Sequence, residues 1–289
     1  MRYNVVHTTH YEYSGLVSVS HHLARLAPRV LPRQRCTQHA LQIDPEPEYS
    51  VSHVDYFGNT MTFFAIQSAH EHLAVRANSR VEVSTVERPA APAPRWEQAV
   101  DKSAMPLDAL ECVVDSTPPR LRASLADYAR PSFAAGRPLL EAVGDLNARI
   151  YDDFTYDASA TTISTSLAEV FESRRGVCQD FARLEIACLR LCGLPARYVS
   201  GYLETTPVAG VPRLAGADAS HAWLAVYGPG IGWVDVDPTN NLFPSDRHVT
   251  LAWGRDYGDV SPIRGIILGG GDHSLHVSVD VSRVEESPG

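Results

Sequence analysis

The sequence predicts an α+β protein in two parts: an antiparallel, β-sandwich-like N-terminal domain over residues 1–86, and a unit over 96–289 in which helices come first and pack on an antiparallel sheet. Three observations lead there. Residues 3–84 alternate apolar and polar positions between turn signals, with no helical period. The segment ERPAAPAPR places three prolines in six residues and reads as a stiff linker over 87–95. From Trp96 apolar residues recur every three or four positions, and alternation returns only after residue 196.

In the first part, strands are expected over 3–13, 23–30, 37–43, 61–67 and 73–84, with a hairpin around Tyr56, Phe57, Gly58 and Asn59. The histidines here (His7, His10, His21, His22, His39, His53, His70 and His72) read as solvent-face strand residues. In the second part, helices are expected over 107–114, 119–128 and 138–151. A further helix over 177–192 is stopped by Gly193 and Pro195. Strands follow over 197–203, 221–227, 233–237 and 275–281, and the Gly-, Pro- and Ala-rich stretch 204–219 reads as a loop facing substrate or solvent.

With 289 residues, 44% hydrophobic and 20% charged, the chain has an ordinary globular composition, and no run of about 18 apolar residues suggests a membrane partner. The start, MRYNVVHTTHYEYSG, lacks the apolar stretch of a signal peptide, so a cytoplasmic location is expected. Five cysteines are too few and odd in number for a disulfide framework, which leaves room for a reactive thiol. A formal net charge of −9 disfavours nucleic acid as a partner, because a phosphate backbone needs a basic surface.

The segment RRGVCQDFARLEIACLRLCG sets Cys178 just after Gly176 and Val177, at the first turn of its helix. Unpaired amide N–H groups and the positive end of the helix dipole there favour a thiolate, the reactive form of the side chain. Arg174 and Arg175, just upstream, read as solvated. Cys188 shares an apolar stripe with Phe181, Leu184 and Leu191, and Cys192 sits beside the glycine stop, so both belong to the core. No CxxC pair and no second cluster has ligand spacing, and neither metal nor cofactor is expected.

The stretch SHAWLAVYGPGIGWVDVDPTN supplies a base and its partner. Alternation puts His221, Trp223 and Ala225 on one strand face, and Trp233, Asp235 and Asp237 on one face of the next. A hairpin closing about Pro229 sets His221 opposite Asp237 and Trp223 opposite Asp235, within reach of a carboxylate–imidazole hydrogen bond. A slip of two residues would offer Asp235 instead. Cysteine, histidine and carboxylate then form a nucleophile, its base and an orienting group.

Four ordered blocks, GVCQDFARL, PARYVSGYL, SHAWLAVY and WVDVDPTN, resemble the bacterial transglutaminase-like family of the papain-like superfamily. Residues 254–281 resemble the tail of that family's core, and 3–84 the β domain that precedes it. The resemblance implies a transglutaminase-like catalytic core over 96–289, with Cys178 as nucleophile, His221 as its histidine and Asp237 as its aspartate. It also implies acyl transfer through a thioester on a peptide or protein amide, most directly as a hydrolase. The alternatives are a true transglutaminase joining glutamine side chains to amines, and a catalytically silent scaffold. The backbone N–H of Cys178 is a natural oxyanion donor. Glu172 stands where papain-like enzymes often carry a glutamine, so no second donor is assigned.

Overall fold

The computed structural model describes residues 1–85, 94–162, 164–205 and 220–284. Most of the expected linker and of the loop expected over 204–219 therefore lies outside the described residues.

The N-terminal strands are β1 (Arg2–Ala24), β2 (Gln34–Asp44), β3 (Tyr49–Val54), β4 (Thr60–Ile66) and β5 (His70–Val83). They run antiparallel in the order β2-β5-β1-β4-β3. β1 is long because it is shared. Arg2 to Glu12 pair with β5 and Ser20 to Ala24 with β4, with the register broken between Glu12 and Val17. The expected hairpin joins β3 to β4, where Asp55 Oδ1 accepts the N–H groups of Phe57 and Asn59 and Gly58 takes a positive φ of 77°. The strand expected over 23–30 ends at Ala24. The chain beyond it crosses to the second unit, where Gln34 brackets Thr250 by accepting its N–H and donating to its carbonyl.

That unit contains α1 (Leu107–Leu110), α2 (Pro119–Ala129), α3 (Leu139–Asp153), the short parallel pair β6 (Thr155–Tyr156) and β7 (Arg175–Gly176), α4 (Leu167–Ser173) and α5 (Cys178–Leu191). Then come β8 (Ala196–Leu203), β9 (Ser220–Gly228), β10 (Gly232–Val236), β11 (His248–Gly254) and α6 (Tyr257–Val260). The sheet order is β10-β9-β8-β11, all antiparallel. Ala196, Tyr198, Leu224 and Val226 join Phe181, Leu184 and Cys188 of α5 in the main core. The opposite face carries Val199, Trp223 and Ala225 with Trp233 and Trp253. Neither α4 nor β11 is foreseen from sequence: α4 has two turns, and nearly every residue of β11 is buried, which removes the alternation.

Three expectations are corrected. The strand expected at 275–281 belongs to β13 (His273–Arg283), which with β12 (Ile263–Gly269) pairs with β1 rather than with the second sheet. The end of the 96–289 span thus completes the N-terminal sheet, because alternation fixes a strand's faces but not its partner. His7, His22 and His70 are buried, not solvated: they fall at the alternating buried positions of β1 and β5, on faces that are covered. His7 meets the hydroxyl of Tyr202, and His22 stacks on Phe64. The third correction, to the register of the β9–β10 hairpin, bears on the site itself.

Candidate active site

Cys178 opens α5, and Val177 before it is extended, at φ −117° and ψ 178°. The local sequence explains the start. Asp180 reaches back to accept the Val177 N–H at 3.0 Å and the Thr161 hydroxyl at 2.7 Å, tying off one orphan donor of the helix. Its side chain fills the space over residue 176, where a Cβ would lie 2.9 Å from Asp180 Cβ and Oδ2, so only glycine fits. Cys178 itself is partly exposed, whereas Cys112 and Cys188 are buried; all five thiols are free.

His221 enters from β9 and Asp237 from just beyond β10. The hairpin register differs from the one expected. Trp233 pairs with Tyr227 and Asp235 with Ala225, so the turn centres on Gly230 and not on Pro229. Gly230 and Gly232, both at positive φ, close a longer turn than the alternation alone suggests. The ladder ends at Val236 opposite Leu224, and Asp237 reaches His221 diagonally instead of directly across. A shift of two residues preserves faces, which is why the contact survives. Asp235 is drawn elsewhere, to Arg33 at 2.5 Å.

His221 Nε2 donates to Asp237 Oδ2 at 2.8 Å. Cys178 acts on the same ring and raises its pKa, and Nδ1 is the nitrogen that Asp237 leaves free for it. The structure therefore brings together all three residues singled out from sequence. Burial works against charge on His221, but the hydrogen bond to Asp237, the Cys178 side chain and the charge of Asp237 outweigh burial and hold the imidazolium up to about 10. Asp237 is wholly buried. Desolvation would raise its pKa, yet the hydrogen bonds from His221 and His248 and their attraction keep it well below the usual carboxylate range.

Sequence reasoning misses the rest of the carboxylate's shell. His248 Nε2 donates to the same Oδ2 at 3.0 Å, Asn240 Nδ2 donates to it at 2.7 Å, and the backbone N–H groups of Thr239 and Asn240 point at Oδ1. The DPTN turn after β10 carried a readable signal for the last three, since an aspartate before proline commonly accepts the amides that follow. His248 carries none, because β11 is buried on both faces and shows no alternation. Burial chiefly lowers its pKa, leaving a neutral ring that donates through Nε2. His221, Asp237 and His248 bring one ligand atom each within 4.8 Å of one another, a spacing a cation could use only if both Nε2 atoms gave up their protons. Glu185, two turns along α5 from Cys178, is also missed. It is fully buried with neither carboxyl oxygen partnered among the described residues, and burial, then the charge of Asp237, raises its pKa well above the carboxylate range.

Residues 3–82 match the bacterial transglutaminase-like N-terminal region, and 126–238 match the transglutaminase-like superfamily. An uncharacterized protein of Mycobacterium tuberculosis (strain ATCC 25618 / H37Rv) is 44% identical over 97% of this chain and 92% of its own. The chain belongs to the transglutaminase-like superfamily. A second relative of this transglutaminase-like chain, from Mycobacterium leprae (strain TN), is 31% identical over 98% of this chain and 99% of its own. The crystal structure of a candidate cysteine protease from Cytophaga hutchinsonii has the same fold, with a TM-score of 0.76 at 20% identity over 100% of this chain and 93% of that one. A protein-glutamine gamma-glutamyltransferase of Pseudomonas aeruginosa is 33% identical across 44% of this chain and 19% of its own.

Proposed function

We propose that this transglutaminase-like chain is a cysteine-dependent acyl-transfer enzyme that cleaves peptide or isopeptide-like amide bonds through a thioester, with Cys178 as nucleophile, His221 as base and acid, and Asp237 as orienting group. The observation that carries the reading is a partly exposed helix-start thiol that acts on His221, whose Nε2 is hydrogen-bonded to a wholly buried carboxylate. The imidazolium held up to about 10 keeps a proton in place for the leaving amine. The sulfur attacks the amide carbonyl, the charge on oxygen is met by the Cys178 N–H at the helix start, and His221 hands its proton to the departing amine. Water then attacks the thioester, with His221 accepting its proton. Asp237 fixes the ring's tautomer throughout, which its own shell of donors makes possible. Five free thiols fit a reducing, cytoplasmic setting.

Amine transfer is the second reading, favoured by the similarity to the Pseudomonas aeruginosa glutamyltransferase. Incubation with a glutamine-containing peptide and a labelled primary amine separates the two: hydrolysis without label is expected, and label on the peptide selects amine transfer. The Cys178→Ala chain should lose turnover by at least about a thousandfold. In parallel, iodoacetamide at pH 6 should label Cys178 first, because burial pushes the Cys112 and Cys192 thiols up to about 11 and Cys188 higher still. Cys178 alkylating no faster than these would overturn the enzymatic reading.

A further inference from the structure

Two arginines near the start of β8 are almost equally buried, and they differ in how their donors are used. Arg190, 5% exposed, spends its guanidinium on the carbonyls of Cys112, Ala196 and Arg255 and on Asp256. That is how a structural buried arginine satisfies itself. Arg197, 8% exposed, has no hydrogen bond and no ion pair among the described residues, and its Nε is sealed without a partner. What holds it is aromatic. Its guanidinium lies 3.7 Å from the ring centre of Trp253 and 4.2 Å from that of Trp233. Rings stabilise the flat faces of the cation but cannot accept its in-plane N–H groups. The nearby acids do not fill the gap: Asp235 is taken by Arg33, and Asp108 accepts the Trp233 indole N–H at 2.9 Å.

Arg197 lines a cavity of about 510 Å³ between the β3–β4 turn and α1. Tyr56, Phe57, Leu107 and Trp253 give it apolar walls, and Asp108 and Glu111 add carboxylates. A planar fork held rigid between two rings and short of acceptors is built for a carboxylate. The acids beside it work against a multiply charged anion and favour a ligand that also carries a cation. Apolar walls favour a hydrophobic body between the two.

From this geometry we infer that the cavity is a binding site for a free apolar α-amino acid, with its carboxylate on Arg197, its ammonium toward Asp108 and Glu111, and its side chain against Tyr56, Phe57 and Leu107. The site lies four residues along β8 from Gly201, the register partner of His221, so it is separate from the thiol.

The test uses the full chain carrying Cys178→Ala, so that its result does not depend on catalysis. L-phenylalanine, L-phenylalaninamide, 3-phenylpropionate and inorganic phosphate are titrated by calorimetry, with tryptophan fluorescence reporting on Trp233 and Trp253. L-phenylalanine is expected to bind one to one. The amide, which lacks the carboxylate, and phenylpropionate, which lacks the ammonium, should each bind about tenfold or more weakly, and phosphate should show no saturation. Arg197→Lys, which keeps the charge but loses the fork, should weaken phenylalanine by about tenfold or more. Asp108→Asn, at the exposed rim where folding is not at risk, should weaken it severalfold while leaving phenylpropionate unchanged. No saturable binding of phenylalanine by the Cys178→Ala chain up to about 10 mM overturns the inference. So does equal binding of the amide, or phosphate binding as tightly as the amino acid.

Discussion

Asp237 accepts from two histidines on one oxygen, and those histidines respond to pH in opposite senses. His221 has its folded pKa raised to about 10 from an ordinary 6.5, so the stability it lends is full below 6.5 and lost as pH climbs toward 10. Asp237, lowered, lends stability above the ordinary carboxylate range that disappears as pH falls through its folded value. His248 is lowered by burial and stays neutral, so just below pH 6.5 the unfolded chain binds a proton the folded chain refuses, and stability falls with pH. A His248→Phe chain should therefore lose up to about 1.4 kcal/mol per pH unit of that acid-side slope in urea titrations between pH 5 and 6.5. Removing the donor should also cost about 1–3 kcal/mol at pH 7 and lower kcat/KM by about tenfold, with partial rescue by His248→Gln, which restores an N–H. An unchanged slope in the Phe variant would mean that His248 is protonated in the fold. At this scale the triad was legible because each member stands in a motif whose local chemistry is readable: a helix start, a strand face, a turn. His248 and Glu185 act through tertiary neighbours, and no local pattern announces them.

Elements were legible where periodicity met a punctuating residue. The helix over 177–192 lost only its end residues, being bounded by Gly176 and Gly193, and α2 and α3 kept their sequence boundaries within about two residues. β11 escaped because a strand buried on both faces loses its alternation, and the β9–β10 register slipped by two because loop length depends on which glycines turn left-handed. Gly201 shows how one position couples two strands to the site. It is paired with His221, and a Cβ there would sit 2.1 Å from the Val249 carbonyl oxygen and 2.5 Å from Trp223, the ring that stacks beside His221. Gly201→Ala must push β11 away or tilt Trp223. It should destabilise the chain by about 1–3 kcal/mol and reduce kcat more than it raises KM, since the imidazole shifts with the indole. Wild-type stability in this variant, read by urea unfolding, would show that the sheet has slack there.

Across the whole molecule, the two units share one interior. Tyr3, Val5, Val81, Val83, Val279 and Val281 of the first sheet sit in the same buried cluster as Leu146, Leu184 and Leu224 of the second unit. Glu204, at the end of β8, accepts the Tyr3 hydroxyl and pairs with Arg283 of β13 at 2.5 Å, so that β1, β8 and β13 meet at one carboxylate. This arrangement was not legible, because a strand's sequence names its faces and not its neighbours. A proline-rich linker suggests separable domains, whereas β12 and β13 return to the first sheet after the second unit is complete. Two parts with a common core and interleaved strands should unfold together, so calorimetry should show a single transition with equal calorimetric and van't Hoff enthalpies. A chain ending at Pro262 should fail for the same reason. It loses the partner of β1 from Tyr3 to Tyr13, bares a long edge, and opens the main core at Val279 and Val281. Such a chain is expected to aggregate or to lose its near-ultraviolet dichroism. If it stays monomeric with native dichroism, or if the intact chain melts in two resolved steps, the shared core does not couple the units.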